Sequence, residues 1–127
     1  MKPHEAWLAN ARRDLKAAQT LAAPGDPVLE VAFEHTLAAI EKALKGFLAF
    51  KAQPIIKTHD LALLLLKCSD LDGSFKALEE DVSRIDFPST LLRYPQEGGP
   101  IEIDYSDANA AVVTAEKILA FVAEKIQ

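Results

Sequence analysis

The sequence has 127 residues and a formal net charge of −5. Half of the residues are hydrophobic and 26% are charged, which is typical of one packed globular domain and excludes a disordered chain. The longest apolar runs, such as residues 61–66, are far shorter than the roughly 20 residues of a membrane span. Cys68 is the single cysteine, so neither an internal disulfide nor a cysteine-rich zinc site can form. We expect one domain over residues 1–127, located in the cytoplasm and not associated with a membrane.

The negative charge is unevenly distributed along the chain. Residues 1–68 carry a formal charge of +2, and residues 69–127 carry −7. Within this first half, residues 42–67 contain five lysines and one acid, Asp60. Such a basic zone is either an anion or phosphate site or simply a solvated helix face, and the sequence leaves both interpretations open.

Alanine, leucine, lysine and glutamate dominate the sequence, and all four favour helices. The first helix is predicted over residues 3–23, and the second over residues 28–52, where Pro54 ends it. Each has an apolar stripe with a spacing of three or four residues. The stripe of the first helix is Trp7, Ala11, Leu15, Ala18 and Ala22; that of the second is Phe33, Leu37, Ile40, Leu44, Phe47 and Leu48.

Three further helices are predicted after Pro54. The third begins at Thr58 as its N-cap, with Asp60 in the first turn. The fourth spans residues 73–87 and is followed by a short helix at 89–94 and a loop at 95–104. The last spans residues 106–126, with Ser106 as its N-cap. Five helices with short links predict an all-α, up-and-down bundle. So small a bundle leaves apolar stripes partly uncovered, and a homodimer would cover more of them.

The segment Lys57-Thr58-His59-Asp60-Leu61 is the first candidate site. Backbone N–H groups at the start of a helix are unpaired and bind anions readily, so Lys57 and His59 there are suited to hold a phosphate. The alternative is a capped helix start and nothing more. Asp60 either fixes the tautomer of His59 through a hydrogen bond or, more simply, is an acid of the first helical turn. His35, on the second helix, is assigned a packing or surface role.

Arg93-Tyr94-Pro95 is the second candidate, because an arginine can clamp a phosphate while a neighbouring aromatic ring stacks on a base. Alternatively, Arg93 pairs with an acid of a neighbouring helix and Tyr94 packs its ring. Glu41 and Lys45, one helical turn apart, are supporting residues, and a Glu41–Arg93 pair remains open. No two histidines have the spacing of metal ligands and no cofactor motif is present, so we expect neither a metal nor a cofactor.

Together these segments resemble a known family. The chain is similar to HEPN-domain proteins over nearly its whole length, most specifically in Lys-Thr-His-Asp-Leu at 57–61 and Arg-Tyr-Pro at 93–95. Weaker matches include Glu41-Lys42-Ala43-Leu44-Lys45 and Tyr105-Ser106. The resemblance implies an all-α bundle that forms a homodimer. It also implies a partnership with a minimal nucleotidyltransferase in a two-component, toxin–antitoxin-like system, and binding of nucleotide or RNA.

Many HEPN proteins are metal-independent endoribonucleases that use an arginine followed four to six residues later by a histidine. In this chain no histidine follows Arg12, Arg13, Arg84 or Arg93 at that spacing. We therefore expect a module that binds nucleotide or RNA phosphate, or docks a partner, rather than an enzyme. One alternative is an endoribonuclease with an altered active site, in which Arg93 stabilises charge and His59 moves protons. The other is a purely structural, partner-binding dimer.

Overall fold

The structure is a computed structural model that describes residues 1–85 and 103–127, and within these ranges it contains helices and no strand. The helices are α1 (Pro3–Ala22), α2 (Leu29–Phe50), α3 (Leu61–Leu71), a 3-10 helix (Gly73–Leu78), α4 (helical over residues 79–85) and α5 (Tyr105–Lys125). The predicted all-α, up-and-down bundle is confirmed. The predicted helix at 89–94 and most of the predicted loop at 95–104 lie outside the described residues.

α2 is the central helix of the bundle. α1 packs antiparallel along it, since His4 meets Phe50 at one end and Asp14 meets His35 further along. α5 packs on both α1 and α2, and α3 packs on α2 and on the 3-10 helix. The contact between α1 and α2 is close at Gly46, where a Cβ atom would lie 3.3 Å from the Cβ atom of Trp7. A larger side chain at position 46 would therefore push the two helices apart.

The apolar stripe predicted for α2 is the centre of the core, and all six of its residues are buried. Its partners on α5 are also buried: Ala111, Val112, Ala115, Ile118, Leu119 and Val122. The ring of Phe75 lies between those of Phe47 and Phe121, with centroids 4.4 and 5.0 Å away. This aromatic cluster joins the 3-10 helix to α2 and α5, so burial of these rings holds the second half of the chain on the first.

The stripe predicted for α1 is only partly correct. Ala11, Ala18 and Ala22 are buried, but Trp7 and Leu15 are half-buried, and Leu8 is buried instead. The small alanines let α1 lie close to α2, whereas Trp7 lies at the edge of the contact.

None of the helices in the two described ranges is long and apolar enough to cross a membrane.

The predicted N-caps of α3 and α5 are wrong by two residues. Asp60 caps α3, because its Oδ1 accepts a hydrogen bond from the Leu63 N–H at 3.1 Å. Asp104, rather than Ser106, caps α5 in the same way. Aspartate, serine and threonine are all good N-caps, so where two of them lie two residues apart the sequence does not decide between them.

The end of α2 determines where the next segment begins. The Gln53 N–H donates to the carbonyl of Leu48 at 2.9 Å, and the Ala52 N–H donates to the carbonyl of Ala49 at 3.0 Å. This pair of bonds is a Schellman motif, which requires a left-handed backbone at position 52. Ala52 adopts that conformation with φ of +55°, although glycine is the usual residue there. Residues 53–60 then lead from α2 to α3.

Candidate functional site

The candidate site lies where the start of α3 meets the middle of α2. Its centre is the buried carboxylate of Glu41, on α2. One carboxylate oxygen is 2.7 Å from Nδ1 of His59, and the other accepts a hydrogen bond from the Lys45 ammonium at 3.0 Å. We call these three residues the Glu41 triad. The structure thus brings together two predicted supporting residues and one predicted ligand-binding residue.

The pairing with Glu41 defines the chemistry of the His59 ring. Because an ionised carboxylate can only accept hydrogen bonds, Nδ1 of His59 carries the proton that lies between them. In the neutral ring Nε2 is then an acceptor, and in the imidazolium form it is a second donor. The side chain of His59 is 73% exposed, so the ring is positioned by a buried group while remaining accessible from outside.

The contact between Glu41 and His59 bears on the role predicted for Asp60. The carboxylate next to the His59 ring is that of Glu41, whereas Asp60 uses its Oδ1 to cap α3. Asp60 is therefore an acid at the start of the helix, but as the N-cap of α3 and not as the acid of the first turn that was predicted. The Thr58 hydroxyl accepts a hydrogen bond from the Asp60 N–H at 3.1 Å, which fixes the turn just before the cap.

Lys45 is the largely covered cation of the triad, with only 11% of its side chain exposed. Its ammonium lies 5.7 Å from the centre of the Trp7 ring, as in a cation–π contact. The sequence pattern placed Trp7 on a core stripe, and its position beside the site was missed. No local signal could have revealed it, because Trp7 and Lys45 come from different helices.

Of the two other basic residues predicted to bind the ligand, Lys57 lies in the described part of the chain and Arg93 does not. Lys57 is exposed, two residues before His59, and forms no ion pair with any residue in the described ranges. Arg93 and Tyr94, together with the possible Glu41–Arg93 pair, lie outside the described residues. The part of the site that the structure describes is therefore the Glu41 triad, Lys57 and Asp60.

A second cluster of the same composition was not predicted. Asp14, on α1, accepts a hydrogen bond from the Lys42 ammonium at 2.5 Å and lies 2.9 Å from Nδ1 of His35. We call these residues the Asp14 triad. Burial raises the pKa of the Asp14 carboxyl, but the hydrogen bonds and charges of Lys42 and His35 outweigh it and hold that pKa below its usual value. The spacing of seven residues between His35 and Lys42, two helical turns, is the one signal for a shared face.

Metal and thiol chemistry receive no support from the residues that the structure describes. Within residues 1–85 and 103–127, no three histidine, cysteine or acidic side chains are grouped as metal ligands would be. Cys68 is buried, and its Sγ lies 3.6 Å from the carbonyl oxygen of Leu44. Burial raises the pKa of its thiol to about 12, so the group is not a nucleophile at neutral pH.

Comparison with known proteins places this architecture in a family. The sequence profile of the HEPN domain matches residues 4–126. The chain belongs to the HEPN family. Among solved structures, it resembles the archaeal HEPN homologue ST0689, with 28% identity, a TM-score of 0.72 and full coverage of both chains. It also resembles TT1696 from Thermus thermophilus, with 30% identity, a TM-score of 0.68, and 98% and 99% of the two chains covered. No curated protein sequence matches it.

The family assignment confirms the resemblance that the motifs indicated. In this HEPN domain the profile match includes both the Lys-Thr-His-Asp-Leu and the Arg-Tyr-Pro segments. The bundle supplies a reason for the first segment: His59 reaches back to Glu41 on α2, while Asp60 starts α3. The histidine and the aspartate of this motif therefore have different structural tasks.

Proposed function

We propose that this HEPN domain is a binding module that holds a nucleotide or RNA phosphate with Lys57, His59, Arg93 and Tyr94. We further propose that it forms a homodimer and docks a minimal nucleotidyltransferase, in a toxin–antitoxin-like pair. The observation that carries the proposal is the hydrogen bond between the buried Glu41 and the exposed His59. A buried carboxylate that orients a largely exposed imidazole holds the ring in one position at the surface of the bundle.

The charges around His59 support an anionic ligand. Lys57 is exposed two residues before it in the sequence, whereas two other lysines of the basic zone, Lys42 and Lys45, are neutralised by acids. The N–H groups at the start of α3 are a poorer site, because the Asp60 carboxylate already occupies the cap. A phosphate would therefore bind to the side chains of Lys57 and His59, with the positive charge of Arg93 added.

Binding to RNA and to ATP tests this proposal directly. Anisotropy of a fluorescent oligoribonucleotide and native mass spectrometry with ATP would be measured for the wild-type protein and for Lys57→Ala, His59→Gln and Arg93→Ala. We expect each substitution to weaken binding about tenfold, which corresponds to one charge-assisted hydrogen bond. Loss of one cation should also make the salt dependence shallower, by about 0.7 in the slope of log K against log salt.

Two variants serve as matched controls. His35→Gln removes the histidine of the Asp14 triad, and Lys76→Ala removes an exposed lysine from the 3-10 helix. Both should bind RNA and ATP like the wild-type protein. If they weaken binding as much as His59→Gln and Lys57→Ala do, the ligand senses net charge alone, and no site exists at His59.

The endoribonuclease alternative is kept because Glu41 fixes the His59 ring as a general acid or base would need to be fixed. Incubation with the same RNA in the presence of a chelator, followed by analysis of the products, distinguishes the two functions. Cleavage that is lost in His59→Ala would favour the enzyme, and cleavage that is unchanged in His59→Ala would remove His59 from the reaction.

For a purely structural dimer, Arg93→Ala would lower thermal stability but leave partner binding intact.

A further inference from the structure

Trp7, on α1, lies against the lysine of the Glu41 triad. The centre of its ring is 5.7 Å from the Lys45 ammonium, and the ring is half-buried at the edge of the contact between α1 and α2. Gly46 follows Lys45 directly in α2, and a Cβ atom at position 46 would lie 3.3 Å from the Cβ atom of Trp7. The missing side chain at position 46 therefore lets α1 approach closely enough to bring the ring beside the ammonium.

The same ring borders the segment that carries His59. Trp7 and Lys45 line a small cleft together with Leu48 and residues 53–56, which lead into His59. The free volume of this cleft is about 10 Å³, space for at most one water molecule. Water therefore barely reaches this side of the Lys45 side chain, which is only 11% exposed, and the ring of Trp7 takes the place of solvent there.

Shielding Lys45 from water strengthens its pairing with Glu41, because charges attract each other more strongly where the dielectric is low. The Lys45 ammonium holds one carboxylate oxygen of Glu41 at 3.0 Å, and the other oxygen is 2.7 Å from Nδ1 of His59. With one oxygen held, the carboxylate does not turn away from the imidazole, and the Nδ1 proton stays between them. The contacts thus run without a gap from Trp7 through Lys45 and Glu41 to His59.

We propose that Trp7 is a positioning residue for His59 and acts through Lys45 and Glu41. This inference rests on the proposed function, in which His59 binds a nucleotide or RNA phosphate, and it adds α1 to the elements that form the site. Trp7 packs on the covered lysine of the triad, whereas the side chain of His59 is 73% exposed. The ring of Trp7 therefore acts from the side opposite to the ligand.

The proton position on the His59 ring tests the positioning in the free protein. Two-bond proton–nitrogen correlation spectra in alkaline buffer, where imidazoles are neutral, show which ring nitrogen is protonated, and His59→Gln identifies the signals. In the wild-type protein we expect the proton on Nδ1. Trp7→Leu removes the ring and Lys45→Met removes the ammonium, so both should lower the share of this form, Lys45→Met more strongly. Trp7→Phe should restore the wild-type spectrum, because a phenyl ring also binds a cation on its face.

Two variants are matched controls for these spectra. The ring of Phe50, at the far end of α2, also lies 5.7 Å from a lysine ammonium, that of Lys51. Phe50→Leu therefore removes an equivalent contact away from the triad. Lys42→Met removes the lysine of the Asp14 triad, and with it the same charge as Lys45→Met. Both controls should leave the His59 signals unchanged.

RNA binding tests the functional part of the proposal, with the fluorescence anisotropy described above. Trp7→Leu should weaken binding about threefold, the size of one cation–π contact, and Trp7→Phe should bind like the wild-type protein. Lys45→Met should weaken binding about fivefold, through the lost hydrogen bond to Glu41. If both residues act through His59, either substitution combined with His59→Gln should bind no more weakly than His59→Gln alone.

Circular dichroism and thermal melting establish that each variant is folded. If Lys45→Met does not fold, Trp7→Leu, which removes no charge, carries the test. If neither the His59 spectrum nor RNA binding changes in Trp7→Leu, Trp7 only packs α1 on α2 and the inference is wrong, although the proposed function stands. If the double variants bind more weakly than His59→Gln, Trp7 and Lys45 act on the RNA directly or through the fold, which also overturns it. If the wild-type protein binds neither RNA nor ATP, the proposed function fails, and the spectra alone decide whether Trp7 positions the ring.

Discussion

Glu41 and Asp14 each join one histidine and one lysine, but the two triads differ in which residue is covered. In the Asp14 triad all three residues lie on the packed helices α1 and α2, and the side chain of His35 is 38% exposed. In the Glu41 triad the histidine comes from the segment before α3 and is far more exposed, while Lys45 is almost completely covered. The Glu41 triad keeps its lysine inside and presents its histidine outside.

This difference shows that composition alone does not identify a site. Both triads consist of a carboxylate, a histidine and a lysine, with similar distances from carboxylate to histidine. The Asp14 triad fastens one helix to another, and each of its members is at least partly covered. The Glu41 triad instead combines a covered cation with an accessible imidazole, which is why we place ligand binding there and assign the Asp14 triad a structural role.

Removing the buried carboxylate should have the largest effect on stability. Glu41→Ala leaves the covered Lys45 ammonium without its acid, and breaking a buried ion pair in this way costs about 3 kcal/mol in the free energy of unfolding. Urea denaturation measures this loss.

The matched control is Glu41→Leu combined with Lys45→Leu, which removes both charges and fills the space with apolar atoms. This double variant should recover most of the lost stability. If Glu41→Ala costs less than about 1 kcal/mol, Lys45 reaches water easily and the distinction between the two triads is lost.

Asp14→Asn should have a smaller effect, about 1 to 2 kcal/mol, because His35 and Lys42 are about one-third exposed and remain hydrated. The effect should depend on pH. The Asp14 pKa is lower in the folded chain than its unfolded value of 3.8, so its contribution to stability is complete above that value. It is lost as the pH falls through the lower folded pKa.

Urea unfolding of wild type and Asp14→Asn at pH 7 and below pH 4 tests the pH dependence. The difference in stability between the two proteins should be largest at pH 7 and should shrink in acid. A difference that stays constant or grows on acidification would mean that Lys42 and His35 do not stabilise the Asp14 carboxylate, and that the asparagine acts by changing the packing.

The sequence predicted those parts of the molecule that depend on local spacing. The buried face of α2 follows from apolar residues every three or four positions, and the Glu41–Lys45 pair follows from their separation of one turn. The N-caps of α3 and α5 were missed by two residues. In each case two residues that are both good N-caps lie two positions apart: Thr58 and Asp60 before α3, and Asp104 and Ser106 before α5.

Contacts between distant residues were beyond the sequence pattern. His59 and Glu41 are 18 residues apart, and Asp14 and His35 are 21 apart, so their distances are determined by how the helices pack. The resemblance to HEPN proteins indicated that His59 belongs to a motif, but not that Glu41 is the residue that holds it. The predicted roles of Arg93 and Tyr94 stay predictions.

The smallest effect is expected at Ala52, where α2 ends and the segment that carries Lys57 and His59 begins. Ala52 is exposed and has φ of +55°, a conformation that costs a residue with a Cβ atom about 1 to 2 kcal/mol. Glycine avoids that cost but loses more entropy on folding, so Ala52→Gly should stabilise the chain by a net 0.5 to 1 kcal/mol, roughly. The urea midpoint should rise while RNA binding stays unchanged.

The control for Ala52→Gly is Ala120→Gly, at an exposed position inside α5 with ordinary helical geometry. There the same substitution should destabilise the chain by about 1 kcal/mol. Opposite signs at the two positions would establish that the left-handed turn after α2 is strained by its alanine. If Ala52→Gly instead weakens RNA binding, the start of the 53–60 segment helps to position His59, and the Glu41 triad then depends on that turn in a way that the Asp14 triad, held by two helices, does not.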